Sequence, residues 1–194
     1  RCPIRIDSEM RFRPCIDLHG GRVKQIVGNT LTDDGEPTTN FDTDKHAAEY
    51  ARLYRDDGLV GGHVIMLGPG NEAAAREALE NFPGGLQVGG GIDGSNAESW
   101  LAAGAAAVIV TSTIFVGGRL DRDRLESMAD QVGRDRLVLD LSCREESGNY
   151  VAMTDRWQTR TDVTIDAHTL GELSQYCSEF LIHAIDKEGQ TTGI

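Results

Sequence analysis

Short apolar runs recur along this chain, and segments with helical spacing lie between them. The runs are continuously apolar rather than alternating, which is typical of strands that are buried on both faces of a parallel sheet. They predict six strands, at residues 14–17, 63–67, 85–88, 107–110, 136–140 and 179–184. Five helices are predicted between them, at about 44–57, 71–81, 95–103, 121–132 and 167–176. Asn71 is expected to cap the second of these helices. This alternation indicates an α/β fold.

Two of the predicted strands end in an acid. Ile16-Asp17-Leu18 closes the first strand before Gly20 and Gly21, and Leu139-Asp140-Leu141 repeats the pattern in the fifth. Carboxylates are uncommon in strands, so these two acids are candidates for catalysis. The alternative is that each only initiates a turn, which is a frequent role of aspartate. The repetition itself hints at a fold made of two related halves.

Two architectures fit six parallel strands: a doubly wound open sheet and an eight-stranded (β/α)8 TIM-type barrel. Both place their ligands at the carboxyl ends of the strands. In a barrel the first and fifth strands lie across from each other, so Asp17 and Asp140 would face one another, whereas an open sheet offers no such meeting point. The sequence therefore predicts a barrel, of which this chain holds about six of the eight strand–helix units.

A phosphate site is predicted beside the third and fourth strands. Gly89, Gly90 and Gly91 precede a helix, and Thr111 and Ser112 follow the next strand. Exposed backbone N–H groups, a helix N-terminus and nearby hydroxyl groups suit a phosphate, although the three glycines alone could form a plain tight turn. The spacing is not the GxGxxG dinucleotide fingerprint, so a nicotinamide cofactor is not supported.

Composition narrows the function further. The 194 residues allow one domain, and the net charge of −12 argues against nucleic acid as a partner. No apolar run approaches the ~20 residues of a membrane span. The four cysteines have no metal-type spacing with the five histidines, so we expect no metal and a reduced, intracellular protein.

The motifs, taken together, resemble the histidine-biosynthesis barrel isomerase, phosphoribosylformimino-aminoimidazole carboxamide ribotide isomerase. The resemblance covers residues 11–194, and residues 1–10 are expected to be a leftover or extension at the N-terminus. The strings at 61–68 and 154–158 are similar to the eukaryotic branch, particularly its plant and algal members. The matching motifs are Ile16-Asp17-Leu18 with Gly20, Gly21 and Val23, His63-Val64, Gly89-Gly90-Gly91-Ile92, Val110-Thr111-Ser112 and Leu139-Asp140-Leu141-Ser142-Cys143-Arg144.

The resemblance implies an Amadori rearrangement of an aminoaldose to an aminoketose, without cofactor or metal. The substrate would be an imidazole carboxamide with two phosphoribosyl arms. By resemblance Asp17 is the general base at C2 and Asp140 is the general acid at the ring oxygen. Glu188, or Asp186 nearby, competes with Asp140 for the acid role, since some relatives use a later acid. Further substrate-contact candidates, each of which could instead be structural or simply solvated, are His19, Lys24, His63, Arg144 and Trp157.

The family continues with two more strand–helix units that carry a second phosphate site. We therefore expect little isomerase activity from a 194-residue form by itself, and a monomer when the barrel is complete. Two alternatives stay open: the sibling imidazole glycerol phosphate synthase cyclase, and a non-catalytic barrel fragment that binds a phosphorylated ligand. The expected location is the cytoplasm or the plastid stroma.

Overall fold

The computed structural model describes residues 10–26 and 38–187. Its helices are α1 (Ala47–Asp56), α2 (Glu72–Asn81), α3 (Ala97–Ala102), α4 (Arg122–Val132) and α5 (Ala167–Leu173). Its strands are β1 (Cys15–His19), β2 (Arg22–Ile26), β3 (Thr39–Asp42), β4 (Gly62–Met66), β5 (Leu86–Gly89), β6 (Ala107–Val110), β7 (Phe115–Val116), β8 (Arg119–Leu120), β9 (Leu137–Asp140), β10 (Cys143–Glu146), β11 (Asn149–Thr154), β12 (Thr159–Thr164) and β13 (Glu179–Leu181).

The central sheet runs in the order β13-β9-β6-β5-β4-β1-β2-β3. Strands β1, β4, β5, β6, β9 and β13 are parallel, and neighbours in the sheet are also neighbours in the series along the chain. A doubly wound sheet would reverse its order at a switch point, whereas a barrel adds each strand to the same side. The predicted barrel fold is confirmed, and the described residues contribute six parallel strands and five helices to it. Within the described ranges the sheet is not closed by hydrogen bonds, and β13 and β3 form its edges.

Each face of the sheet has its own apolar cluster. Alternate strand residues such as Leu18, Val88 and Leu139 are fully buried in the main core, which they share with the helices. The residues between them point to the other face, where Ile109 and Val138 belong to a smaller cluster. Because side chains alternate along a strand, this division leaves Asp17 and Asp140 on the side of the smaller cluster.

The N-cap side chain accepts a backbone hydrogen bond at the start of α4 and α5, but not at Asn71. Asp121 accepts a hydrogen bond from the Arg124 N–H at the start of α4, and Asp166 does the same for the Thr169 N–H at α5. The side chain of Asn71 is fully buried and makes no capping bond. Its amide instead accepts from the Gly21 N–H at 2.8 Å and donates to the Gly68 carbonyl at 2.9 Å. The predicted cap is wrong: Asn71 joins the loop after β1 to the loop after β4.

The last predicted strand and helix are longer than the observed ones. Strand β13 ends at Leu181, and Ala184 makes only an isolated bridge to Cys143. Helix α5 ends at Leu173, three residues before the predicted end. A three-stranded antiparallel sheet, β10-β11-β12, follows β9, and the sequence indicates only an extended segment at residues 150–153 of it. In the two described stretches of chain, no helix is long and apolar enough to cross a membrane.

Candidate active site

A cavity of about 1070 Å³ lies over the face of the sheet that carries the two acids. Its wall includes many of the residues singled out from the sequence: Asp17, His63, Gly90, Gly91, Thr111, Ser112, Asp140 and Trp157. It also includes residues that sequence reasoning did not select, among them Cys15, Arg76, Arg156 and His183. The first and fifth parallel strands therefore do bring their carboxylates to one cavity.

Asp17 projects from β1, and the thiol of Cys15 donates a hydrogen bond to its Oδ1 at 2.8 Å. Cys15 and Asp17 are two residues apart on one strand, so their side chains lie on the same face. Ile16 and Leu18, on the opposite face, are fully buried among the helices. This anchoring of alternate residues fixes the direction of the Asp17 carboxylate toward the cavity.

Asp140 lies in a denser set of hydrogen bonds. The hydroxyl of Thr111 donates to Oδ2 at 3.1 Å. Ser142 donates to Oδ1 twice, from its backbone N–H at 2.9 Å and from its hydroxyl at 2.6 Å. The Ser142 hydroxyl also lies 3.0 Å from Nδ1 of His183, on the loop after β13. Asp140 is thus held by residues that follow two strands, β6 and β9, and Ser142 links it to a residue that follows a third, β13.

His63 points into the cavity from β4. Burial lowers the pKa of its imidazole, against the opposing influence of the Glu179 and Asp140 carboxylates, which favour the charged form. Glu179 is itself paired with Arg13 and accepts a hydrogen bond from Gln87 at 3.0 Å. These polar contacts lie on the same face as His63, at the ends of the strands away from Asp140.

The glycine segment after β5 combines a structural need with an open backbone. Gly90 has φ +92°, and a Cβ there would stand 2.1 Å from the Met66 carbonyl oxygen, so no other residue fits. Gly91 also has positive φ, +72°, but a Cβ on it would meet nothing within 4 Å. The backbone at Gly91 is therefore open to a ligand, while Gly90 is required by packing.

Charges near this glycine segment are mixed. Hydrogen bonds from the Ser95 hydroxyl and backbone lower the pKa of Asp93, which keeps that carboxylate ionised. Arg76, from α2, reaches the same part of the wall, where its guanidinium lies 4.5 Å from the Trp100 ring centroid and donates to the Ser99 hydroxyl at 2.9 Å. A phosphate bound here would depend on backbone N–H groups and Arg76 to offset the Asp93 charge.

The loop between β11 and β12 reaches across to the residues after β6. The Ser112 hydroxyl accepts hydrogen bonds from the Thr154 hydroxyl at 3.0 Å and from the Asp155 N–H at 3.2 Å. Three consecutive residues of this loop, Asp155, Arg156 and Trp157, have positive φ values of 52°, 54° and 67°. Left-handed backbone is costly for residues with a Cβ, and such strain is concentrated at functional sites. The Trp157 ring packs edge-on against His183, with centroids 5.5 Å apart.

Other candidates lie away from the cavity wall. Lys24 pairs with Asp42 at 3.9 Å, and Arg144 pairs with Asp186 at 3.1 Å. His19 and Gly89 are not part of the wall either. Glu188 lies outside the described residues, so its competition with Asp140 stays a prediction. Among the residues that the structure describes, no group of three or more His, Cys, Asp or Glu could hold a metal ion.

Ser142 and His183, which contact each other, are also among the site residues that sequence reasoning did not select. Ser142 lies two positions after Asp140, and His183 lies two positions after Leu181; Asp140 and Leu181 both line the cavity. Because side chains alternate along a strand with a period of two, this spacing could have indicated that Ser142 and His183 face the same side. Their mutual contact joins positions 41 residues apart, which no local pattern reveals.

Comparison with known proteins gives a consistent result. A family model described as histidine biosynthesis protein matches residues 11–194. A chloroplastic imidazole-4-carboxamide isomerase of Medicago truncatula is 54% identical over 199 residues, which cover 99% of this chain and 64% of the relative. Isomerases of the same name from Yarrowia lipolytica and Saccharomyces cerevisiae are 49% and 50% identical, each over 95% of this chain and 72% of the relative. The chain thus spans about two thirds to three quarters of these relatives' length.

Proposed function

Because the chain belongs to the histidine biosynthesis protein family, we propose that its parent protein isomerises an aminoaldose to an aminoketose. The names of the related isomerases describe an imidazole-4-carboxamide that bears two 5-phosphoribosyl groups, and we propose the same substrate class for this protein. One observation carries the proposal: Asp17, in the middle of β1, and Asp140, at the end of β9, line a single cavity. The rearrangement needs a proton donor and a proton acceptor in one site, without a redox cofactor.

The proton balance of the reaction requires one group that donates a proton and one group that removes a proton, and the two acids can fill these roles. Ring opening places one proton on the ribose ring oxygen, which we assign to Asp140. Enolisation removes the proton from C2, which we assign to Asp17. Ketonisation then returns a proton to C1 and releases one from the C2 hydroxyl. No electron enters or leaves, because the oxidation at C2 equals the reduction at C1. General acids and bases of this kind each typically contribute about 10²- to 10⁴-fold in rate.

The surroundings of the two acids support this division. The hydroxyl partners of Asp140, on Thr111 and Ser142, can donate to the ionised carboxylate and can also accept from the protonated form. Asp140 can therefore be held in either state, as an acid that gives up its proton in each turnover requires. Asp17 accepts a hydrogen bond from the Cys15 thiol, and because a thiol is a weak donor this bond lowers the basicity of the carboxylate little.

We propose that one substrate phosphate binds at the backbone of Gly90 and Gly91 beside Arg76. Trp157, on the opposite loop, would then stack on the imidazole, since it lines the same cavity. The second phosphate would be bound by a part of the parent protein other than the described residues. The chloroplastic relative also supports the plastid stroma as the place of action.

The test is turnover by the full-length protein, because the chain spans only part of its relatives' length. Purified protein is given the aminoaldose in one assay, and the aminoketose with ammonia in another, and each is followed by absorbance. Turnover of the aminoaldose alone supports the isomerase. Turnover of the aminoketose with ammonia would support the sibling cyclase instead. Tight binding of the aminoaldose without turnover would support a non-catalytic barrel that binds a phosphorylated ligand.

A further inference from the structure

Ser112 contacts the start of the loop that carries Trp157. This loop spans residues 155–158, between β11 and β12. The Ser112 hydroxyl oxygen accepts hydrogen bonds from the Thr154 hydroxyl at 3.0 Å and from the Asp155 N–H at 3.2 Å. Thr154 is buried, so its hydroxyl group needs a partner inside the protein, and the Ser112 oxygen provides one. One side chain therefore holds both a side chain and a backbone group of the loop region.

The segment that carries Ser112 is itself fixed in the barrel. Ser112 follows β6 and begins a short 3₁₀ turn that ends at Ile114. Val110 and Ile114, two residues before and two residues after Ser112, are buried in the main core. The Ile114 carbonyl also accepts a hydrogen bond from the Asp121 N–H at 2.9 Å. The Ser112 hydroxyl is thus attached to the central barrel, whereas the loop that it holds belongs to the separate sheet β10-β11-β12.

Other hydrogen bonds attach this sheet to the barrel away from the loop. The Asp162 N–H donates to the Gly118 carbonyl at 2.9 Å, and Asp162 Oδ1 accepts from the Leu120 N–H at 3.0 Å, which joins β12 to the β7–β8 hairpin. The Met153 N–H donates to the Ser142 carbonyl at 2.8 Å. Beyond these bonds lie three consecutive residues with left-handed backbone. Because that backbone is unfavourable for residues with a Cβ, the loop needs a contact of its own to keep its conformation.

We propose that Ser112 is a positioning residue, whose hydroxyl group holds the β11–β12 loop so that the Trp157 ring faces the cavity. The proposal rests on the proposed function, in which Trp157 stacks on the imidazole of the substrate. Trp157 lies on the cavity wall, and its ring packs edge-on against His183 with the centroids 5.5 Å apart. Ser112 acts on the substrate through the loop and Trp157, and not on the reacting atoms.

The contact with the loop uses the lone pairs of the Ser112 hydroxyl and not its proton. A serine hydroxyl has one proton and two acceptor lone pairs, and both bonds from the loop end on the oxygen. The sequence predicts that the same hydroxyl binds phosphate, and that bond would use the proton. Positioning and phosphate binding can therefore be tested separately, because Thr154→Val removes one bond to the loop and leaves the Ser112 hydroxyl intact.

The first arm of the test measures both kinetic constants in the full-length protein. Thr154→Val should raise KM for the aminoaldose about three- to tenfold, as expected for loss of an aromatic contact. The value of kcat should stay within about twofold, because the hydrogen bonds that hold Asp140 are kept. Thr154→Ser retains the hydroxyl and should restore KM. Thr161→Val is the matched control, since it removes a buried hydroxyl of β12 that bonds the Ala152 carbonyl at 2.8 Å. An unchanged KM in Thr154→Val would overturn the proposal.

A double variant separates positioning from phosphate binding. Ser112→Ala removes both bonds to the loop, so adding Thr154→Val to it should change KM little further if the two residues act through one contact. Additive effects of the two substitutions on KM would overturn the proposal. So would a Ser112→Ala variant that is inhibited less by inorganic phosphate while Thr154→Val behaves as the wild type, because Ser112 would then act on phosphate alone.

The second arm does not depend on turnover. Trypsin cleaves after arginine, and Arg156 is an exposed residue of the loop. Loss of the hydrogen bond should raise the initial rate of cleavage at Arg156 about two- to tenfold in Thr154→Val and in Ser112→Ala, as measured by mass spectrometry of the fragments. An unchanged rate in these variants, or an equal rise in Thr161→Val, would overturn the proposal. If the wild type turns over no aminoaldose, the proposed function fails, while cleavage at Arg156 still decides whether Ser112 holds the loop.

Discussion

Strands β1 and β9 carry the same short pattern around an acid, which lies in the middle of β1 and at the end of β9, and the structure surrounds the two acids differently. In both strands the apolar neighbours of the acid, such as Ile16 and Leu139, are fully buried against the helices. On the cavity side Asp17 receives a hydrogen bond from a thiol two residues earlier, whereas Asp140 receives three from hydroxyl and backbone groups. The comparison shows that the repeated sequence fixes where a carboxylate points, and that residues elsewhere in the chain decide what it can do.

The largest effect is expected from Asp17→Asn in the full-length protein. The amide keeps the shape of the side chain but cannot take the C2 proton, so kcat should fall by about 10²- to 10⁴-fold. KM should change little, because the lost interaction belongs to the transition state. Steady-state turnover of the aminoaldose provides the measurement. Residual activity close to the wild type would show that β1 does not carry the base.

Thr111→Val distinguishes two possible roles of Thr111. The sequence predicts that Thr111 binds phosphate, and the structure shows that it donates a hydrogen bond to Asp140. Its hydroxyl donates to Asp140 Oδ2 at 3.1 Å, so the valine variant should lower kcat by about tenfold or more, as expected for loss of a hydrogen bond to a charged group. If Thr111 mainly binds phosphate, KM should rise instead and kcat should hold. Measuring both constants on one preparation decides between these outcomes.

Cys15→Ala makes the corresponding change beside the other acid. The thiol is a weak donor, so we expect kcat to fall by less than about tenfold. Cys15→Ser, which replaces the thiol with a stronger donor of similar shape, serves as the matched variant. A loss in Cys15→Ala as large as in Thr111→Val would contradict the view that Asp17 depends less on its neighbours than Asp140 does.

The smallest effect is expected on stability and involves His63, which pairs with Cys15 in the β1–β4 register and also senses the Asp140 charge. Burial lowers the pKa of His63 below its ordinary value of 6.5. Because the unfolded chain then binds the proton more readily than the folded one, its contribution to stability is present above pH 6.5 and is lost as the pH falls below that value.

Urea unfolding of the wild type and of His63→Gln between pH 7.5 and about pH 5 tests this sign. The variant should show a flatter dependence of the unfolding free energy on pH. His46→Gln, which removes a largely exposed imidazole at the start of α1, is the control. A steeper fall in His63→Gln than in the wild type would contradict the direction of the shift.

The parts of the fold that the sequence predicted are those with strong local signals. Continuous apolar runs such as Ala107–Val110 predicted the parallel strands, because such strands are buried on both faces. The small sheet β10-β11-β12 was not predicted, because its strands are partly exposed and β12 has only one apolar residue, Val163. Its pairing depends on tertiary packing rather than on local propensity.

In the candidate site, too, the residues with a strong local signal were predicted, and those that depend on tertiary packing were not. Asp17 and Asp140 were selected because an acid at a strand end is locally unusual. The contact between Ser142 and His183 depends on β9 and β13 being adjacent, and the left-handed backbone at Asp155–Trp157 occurs without a single glycine to signal it. Asn71 shows the reverse case, where a good local cap signal gave way to a buried link between two loops.

The central claim is that Asp17 removes the C2 proton of a bound aminoaldose, and isotope exchange tests it most directly. The full-length protein is incubated with aminoaldose that carries deuterium at C2, and the products are followed by NMR. The account predicts aminoketose that has lost the label from C2, with deuterium at C1 only to the extent that Asp17 has not exchanged with water. Bound aminoaldose that keeps its deuterium, with no product formed, would contradict it.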